Sequence, residues 1–152
     1  MPITDQVDAI STLMEEHRIV KDHFRILLDA DCEQRKDILQ EIKGMLAVHN
    51  ATEENVIYPA VHGLAKRPVH ARTLYHEQDD AEVALWDLAN LDLDDEQFFV
   101  KAVDLRDALL AHVRREEEVE FKYLRESLTP EAAARLTAEF RAFRAALFAR
   151  SG

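Results

Sequence analysis

The chain has 152 residues, of which 47% are hydrophobic and 32% charged, and its formal net charge is −11. This length and mixture are typical of one globular domain, which we expect to cover residues 1–152. The acidity argues against nucleic acid and anionic membrane surfaces as partners, because both are bound through basic patches. The single cysteine, the lack of a signal-like N-terminus and the lack of a membrane-spanning apolar stretch predict a cytoplasmic protein.

Glycine and proline are scarce, at 3 and 4 residues, so long helices with short connections are expected. Apolar residues recur at helical spacing along the chain, and no segment shows a convincing strand pattern. Pro59 should kink or end the second helix, and Thr129 followed by Pro130 is a typical helix start. Five helices are predicted, over about residues 5–30, 33–59, 69–91, 95–127 and 130–149.

The predicted fold is all-α. The first four helices have short connections and should form an up-down-up-down four-helix bundle over about residues 5–127. The additional C-terminal helix, over about 130–149, should pack beside the bundle or against a second copy of the chain in a homodimer.

Four histidines lie on or beside the apolar stripes of the predicted bundle, one on each helix, with His76 at the flank of its stripe. Two of them are followed four residues later by glutamate, on the same face of the helix. Two such pairs are only mildly more than the composition predicts by chance, so their placement toward the core is the more informative observation. The candidate metal ligands are His17, His49, Glu53, His76, His112 and Glu116.

Glu116 shows why a metal is considered. A buried carboxylate is costly without a partner, and no lysine or arginine stands three or four residues from Glu116. Glu117 and Glu118 do have such partners and are expected on the surface, and Glu120 lies at the edge of the inner face. A metal ion could supply the charge that Glu116 lacks. Surface pairing, or a buried histidine bonded to its own glutamate, is the alternative that the residues leave open.

Four imidazoles and two carboxylates are more ligands than one tetrahedral zinc site uses. They suit two metal ions of intermediate softness bridged by carboxylates, with iron the first candidate, manganese the next and zinc left open. The sequence contains neither H-E-x-x-H nor a glutamate three residues before any histidine, which argues against a zincin protease and the ferritin-like di-iron motif.

Four segments together resemble the hemerythrin-like, or HHE cation-binding, domain: EEHRIVKDHF (15–24), HNATEENVIYP (49–59), YHEQDDAEVALWDL (75–88) and HVRREEEVEF (112–121). The resemblance implies a non-haem centre of two Fe ions inside a four-helix bundle. The four histidines would be terminal ligands, and Glu53 and Glu116 would bridge the irons, with an oxo, hydroxo or water group completing the site.

The resemblance also implies a small ligand such as O2, NO or H2O2. Binding or sensing of such a ligand or of redox state, or iron handling, is the first expectation. An oxidoreductase that consumes peroxide or NO is the second, and a metal-free helical interaction module is the third. Hemerythrin oxygen carriers usually place two histidines four apart on the third helix, where this chain has His76 and Asp80. Asp80 or water is expected in the vacant place, which favours peroxide or NO chemistry, or simple iron binding, over reversible O2 carriage.

Overall fold

The computed structural model describes residues 8–151, and these form helices and connections without a strand. Two π-helical turns, Glu53–Ile57 and Glu116–Glu120, each continue one helix into the next without a break, and we call them the first and second π turns. The helices are α1 (Ala9–Asp29), α2 (Cys32–Thr52), α3 (Tyr58–Gly63), α4 (Pro68–Ala89), α5 (Gln97–Arg115), α6 (Phe121–Ser127) and α7 (Pro130–Ser151).

These elements build the predicted bundle from four rods: α1, α2 with α3, α4, and α5 with α6. Each rod packs against the next in the chain, and α1 also packs against α5, which closes the bundle. The all-α bundle prediction is therefore confirmed. Within the described part of the chain, no helix has the length and apolar character needed to cross a membrane.

The helix starts follow the capping residues. Asp8 accepts a hydrogen bond at 2.7 Å from the backbone N–H three residues later and caps α1, while the predicted start near residue 5 lies outside the described residues. Asp31 and Gln34 form a capping box at the start of α2. Thr129 caps α7 with Pro130 behind it, as the sequence predicts.

Pro59 does not end the second predicted helix. It lies in the first turn of α3, directly after the first π turn, and the rod continues to Gly63. The connection that follows contains Lys66 with a φ of 57°, a left-handed conformation that turns the chain toward α4.

Two apolar clusters fill the bundle, one toward each end of the rods. Along every rod, buried polar residues lie between the two clusters in sequence, so a polar layer crosses the middle of the core. One cluster includes Ile10, Leu13, Ile57, Val61, Leu74 and Leu124, and the other includes Phe24, Leu27, Ile42, Leu88, Phe98 and Leu105.

The C-terminal helix α7 packs on the bundle's own surface, against α1, α2 and the first π turn. Leu136 and Phe140 on its inner face are buried and join one of the apolar clusters. The sequence left two places for this helix, and the structure shows the first, beside the bundle. A homodimer through its outer face stays a prediction.

Candidate metal centre

The polar layer brings five of the six predicted ligand residues together. His17 comes from α1, His49 from α2 and His112 from the last turn of α5, and each of the two π turns begins at a glutamate, Glu53 or Glu116. All five residues are at most 5% exposed. The two H-x-x-x-E segments thus face each other across the core, as their position in the apolar stripes predicts.

Both π turns begin at the glutamate of an H-x-x-x-E segment. Such turns are rare and occur frequently at functional sites, because the extra residue changes which side chains share a face. In the first, the backbone N–H of Tyr58 donates to the carbonyl of Glu53, five residues earlier, and the Tyr58 hydroxyl reaches to 3.3 Å from Glu53 Oε1. The π turns therefore carry the aromatic residue that follows them into the polar layer or against it.

The Nε2 atoms of the three histidines face the two carboxylates. His17 Nε2 lies 3.0 Å from His49 Nε2 and 3.1 Å from Glu116 Oε1. His49 Nε2 lies 3.1 Å from Glu53 Oε1, and His112 Nε2 lies 3.4 Å from Glu116 Oε2. One ligand atom from each of His17, His49, Glu53 and Glu116 falls within a single group whose members are all within 4.8 Å of one another.

Each of the three imidazoles also forms a hydrogen bond to a carboxylate through its Nδ1 atom, on the side away from the centre. Since a carboxylate only accepts, the Nδ1 atom of each ring carries the hydrogen, and in the neutral ring Nε2 presents its lone pair to the centre. Metal-binding histidines in proteins are oriented by the same arrangement. The three pairs are His17 Nδ1 with Glu117 Oε2 (2.7 Å), His49 Nδ1 with Glu16 Oε1 (2.8 Å) and His112 Nδ1 with Glu77 Oε1 (3.0 Å).

The unmet bonding capacity of this layer fits a metal. Two lone pairs that face each other at 3.0 Å, as on His17 and His49, repel unless a proton or a metal ion lies between them. Glu53 Oε2 and Glu116 Oε1 are buried and have no hydrogen-bond partner of suitable geometry. A buried acceptor without a donor is costly, and a cation bound between these groups would satisfy all of them.

The pKa values show how strongly the layer collects positive charge. Burial lowers the pKa of His17, but the adjacent carboxylates of Glu116, Glu117 and Glu53 outweigh it and raise the pKa to about 11. The pKa values of His49 and His112 are likewise raised to about 9 by neighbouring carboxylates, against the effect of burial. Without metal, protons therefore occupy the positions that a cation would fill, and metal must displace them.

Tyr58 completes the layer, although the sequence patterns did not single it out. Its hydroxyl donates to Glu116 Oε2 at 2.7 Å and lies 3.0 Å from His112 Nε2. Burial and the charges of Glu53 and Glu116 raise the Tyr58 pKa well above its usual value, so the neutral phenol keeps its proton. Its oxygen is a further atom that a metal could use.

A cavity of about 30 Å³ adjoins the centre. Its volume corresponds to one or two molecules the size of water. The wall toward the centre is formed by His17, His49, Glu53, His112 and Glu116, and apolar side chains form much of the rest, namely Val20, Phe24, Leu46, Leu109, Leu110 and Val113.

The comparisons with known proteins agree with this geometry. The family described as Hemerythrin HHE cation binding domain matches residues 8–124, which is well over half of the chain. The chain belongs to this hemerythrin family. A crystal structure of a Hemerythrin HHE cation binding domain-containing protein from Mycobacterium kansasii is similar in fold, with a TM-score of 0.77 and 20% identity over 95% of this chain and 92% of that one. None of the curated proteins matches the sequence significantly.

The third helix departs from the predicted hemerythrin pattern. His76 and Asp80 are both exposed, so the structure does not bring His76 to the other candidate ligands, and of the two expected occupants of the vacant place, Asp80 or water, Asp80 faces outward. The buried position of α4 at this level is Gln78, whose Nε2 donates to Glu53 Oε1 at 2.9 Å and to the Tyr58 hydroxyl at 3.0 Å. Two residues correspond to slightly more than half a helical turn, so α4 cannot bury both position 76 and position 78. Leu74 and Ala81, the buried apolar residues on either side, lie on the same face of α4 as position 78, so this position is the one that faces the core.

The glutamates of the second π turn differ in part from the prediction in their exposure and in their partners. Glu117 was expected on the surface, but it is only 23% exposed and accepts the Nδ1–H of His17. Glu118 is exposed, as predicted. Glu120 is buried and accepts from Arg67 Nε at 2.8 Å. In this hemerythrin-family site, Glu117 orients a candidate ligand, whereas Glu120 is part of a separate ion pair.

Proposed function

We propose that this chain is a non-haem di-iron protein of the hemerythrin type, which binds or senses O2, NO or redox state, or handles iron. The observation that carries the proposal is the convergence of three imidazole Nε2 atoms on two buried carboxylates, each with one oxygen that lacks a hydrogen-bond partner. Membership of a cation-binding family supports the metal, and the adjoining small cavity supports a small ligand.

In this proposal His17, His49 and His112 would hold the ions as terminal ligands, and Glu53 and Glu116, which each offer two carboxylate oxygens, would be shared between them. His76 is left out because its side chain is exposed. Bound iron would supply reversible electron transfer and open coordination positions for a small molecule.

The chain's own residues would prepare the site in three ways. The apolar clusters on both sides of the polar layer keep bulk water away, which strengthens every electrostatic interaction inside it. The three outer carboxylates fix the imidazole orientations. Tyr58 holds a proton at its hydroxyl, 2.7 Å from Glu116 Oε2, where it can donate a hydrogen bond to a group in the layer.

The test is the metal content of the purified chain, with an optical spectrum under air and after reduction. We expect about two irons per chain and a spectrum that changes on reduction. Parallel loading with manganese and zinc compares the three metals directly. A preparation that holds no iron and cannot be loaded with it would overturn the proposal in favour of the metal-free interaction module.

A second function, consumption of peroxide or NO, is favoured by the Tyr58 hydroxyl, which places a proton donor within the layer. Adding O2, NO or peroxide to the reduced, iron-loaded protein separates the two. A stable adduct indicates binding or sensing, whereas repeated turnover indicates an oxidoreductase.

The same proposal includes a single domain over residues 1–152, a cytoplasmic location and a homodimer through the outer face of α7. Phe148 near the end of this helix is 60% exposed, which supports the dimer. Measurement of the mass in solution tests it, and Phe148→Asp should shift a dimer to the monomer.

A further inference from the structure

Arg144 connects α7 to the metal centre, although α7 lies outside the four rods of the bundle. Its Nη1 and Nη2 atoms donate to the two oxygens of Glu16 at 2.7 and 2.8 Å. Its Nε donates to the Thr52 hydroxyl at 2.7 Å. The two parallel hydrogen bonds from the guanidinium to Glu16 fix the direction of this carboxylate as well as its distance, which a lysine could not do.

Both groups that Arg144 holds are direct neighbours of candidate ligands. Glu16 Oε1, one of the two oxygens bound by Arg144, also accepts the Nδ1–H of His49 at 2.8 Å. Thr52 is fully buried and immediately precedes Glu53, at the point where α2 becomes the first π turn. A continuous series of contacts therefore runs from α7 through Glu16 to the imidazole of His49.

His112 has a similar support with a different origin. The carboxylate behind the His112 ring is Glu77, and its Oε1 and Oε2 atoms accept from Arg115 Nε at 3.1 and 3.0 Å. Arg115 belongs to the same helix as His112 and is 45% exposed, whereas Arg144 comes from α7 and is 14% exposed. Exposed ion pairs contribute little, so we expect the support of His112 to be weaker and independent of α7.

We propose that Arg144 is a positioning residue that makes the His49 side of the metal centre depend on the docking of α7. With Arg144 in place, Glu16 is held where it fixes the tautomer and the orientation of His49. When α7 shifts or Arg144 is removed, Glu16 is free to turn toward solvent, and His49 loses its fixed Nδ1–H partner. Displacement of α7 is thereby converted into weaker metal binding on one side of the centre.

The proposal rests on the proposed di-iron function for its metal readout, and a second readout is independent of metal. The variants are Arg144→Gln, with Arg115→Gln as the matched control and Arg144→Lys as the conservative replacement. Truncation of α7 is unsuitable because Leu136 and Phe140 belong to the core. Circular dichroism and thermal unfolding of the metal-free variants establish that each one folds.

In the metal arm, iron affinity is measured by competition with a chelator. We expect Arg144→Gln to weaken it about tenfold, in the range for partners of metal ligands, with one iron lost before the other. Arg144→Lys should fall between this variant and the wild type, and Arg115→Gln should change the affinity by less than about threefold. Glu16→Gln should reproduce Arg144→Gln, and the double variant should be no weaker than either single one, because all act through His49.

In the metal-free arm, nitrogen NMR reports the protonation, hydrogen bonding and environment of each histidine ring. Arg144→Gln should shift the His49 ring signals and leave those of His112 unchanged, and Arg115→Gln should do the reverse. Unchanged His49 signals, or an iron affinity that Arg144→Gln and Arg115→Gln lower equally, would overturn the proposal. A wild-type chain that takes up no iron overturns the proposed function instead, and the NMR arm still decides whether Arg144 positions His49.

Discussion

The two H-x-x-x-E segments share a backbone design and differ in the side chain that follows it. Each passes from α-helix into a π turn at its glutamate and returns to α-helix at an aromatic residue. In the first segment this residue is Tyr58, whose hydroxyl lies among the candidate ligands. In the second it is Phe121, whose ring stacks on His17 with centroids 6.1 Å apart and planes 9° from parallel.

Because of this difference, the surroundings of His112 and of His17 in the metal centre are unlike. Around His112 the layer contains a hydroxyl and the amide of Gln78, so donors are close to the ligands. Around His17 the neighbour is an apolar ring, which adds no hydrogen bond. The glutamates are thus common to both segments. The aromatic residue after each π turn determines whether the neighbouring histidine, His112 for Tyr58 and His17 for Phe121, meets a polar or an apolar group.

The largest effect is expected where the two segments are alike, at the buried glutamates. Glu116→Gln keeps the shape of the side chain but removes its charge, so the centre should lose most of its iron while the helices remain. Metal analysis and circular dichroism check this outcome. Glu118→Gln, an exposed change in the same π turn, is the control and should retain wild-type iron. Equal iron in both variants would contradict the assignment of Glu116.

The raised pKa values predict how the metal-free protein responds to alkali. The folded-state pKa values of His49 and His112 are about 9, above the ordinary value of 6.5, because neighbouring carboxylates favour the charged rings. Stability from these protons is fully present below pH 6.5 and is lost as the pH rises through about 9. Chemical unfolding at pH 6.5, 8 and 9 should therefore show a falling free energy of unfolding.

The iron-loaded protein supplies the control for this pH dependence, because metal replaces the protons and the histidines are then neutral at every pH tested. Its stability should change less over the same range. The two segments should also titrate together, since His49 and His112 share a pKa of about 9, while His17 at about 11 follows later. Flat stability of the metal-free protein up to pH 9 would contradict these pKa values.

Tyr58→Phe makes the first segment like the second. Glu116 Oε2 loses the hydroxyl that donates to it at 2.7 Å, and a buried acceptor left without its donor costs about 1–3 kcal/mol. Urea unfolding of the metal-free protein should show a loss of this size. Tyr75→Phe is the control, because its hydroxyl donates to the backbone carbonyl of Glu54 in a less buried place. The two variants should differ, and an equal loss would show that the layer gives Tyr58 no special role.

Sequence reasoning predicted the helical rods and most of the polar layer from helical periodicity, and it predicted the family from the resemblance of four segments to the HHE domain. An apolar stripe identifies which positions face the core, and His17, His49 and Glu116 stand on such stripes. The π turns were not predictable in this way, since one extra residue within a helix leaves no clear mark on the pattern. Tyr58 reaches the centre only through such a turn, so it was missed with it.

The supporting groups were missed for a different reason. Arg144 lies 128 residues from Glu16 in the sequence, and their contact depends on how α7 packs, which periodicity does not determine. Glu117 was assigned to the surface because arginine and lysine stand near it, and local charge pairs are a plausible partner for any glutamate. Only the packing of α1 shows that His17 takes it instead.

The smallest effect is expected at His76, where the family pattern and the structure disagree. His76 is exposed, so His76→Ala should keep wild-type iron and change the free energy of unfolding by less than about 0.5 kcal/mol, as surface substitutions usually do. Gln78→Ala is the matched change at the buried position of α4. It removes the donor to Glu53 Oε1 at 2.9 Å and should lower both stability and iron affinity. If His76→Ala loses iron and Gln78→Ala does not, α4 must rotate when metal binds, and the centre would regain the fourth histidine that the family pattern assigns to it.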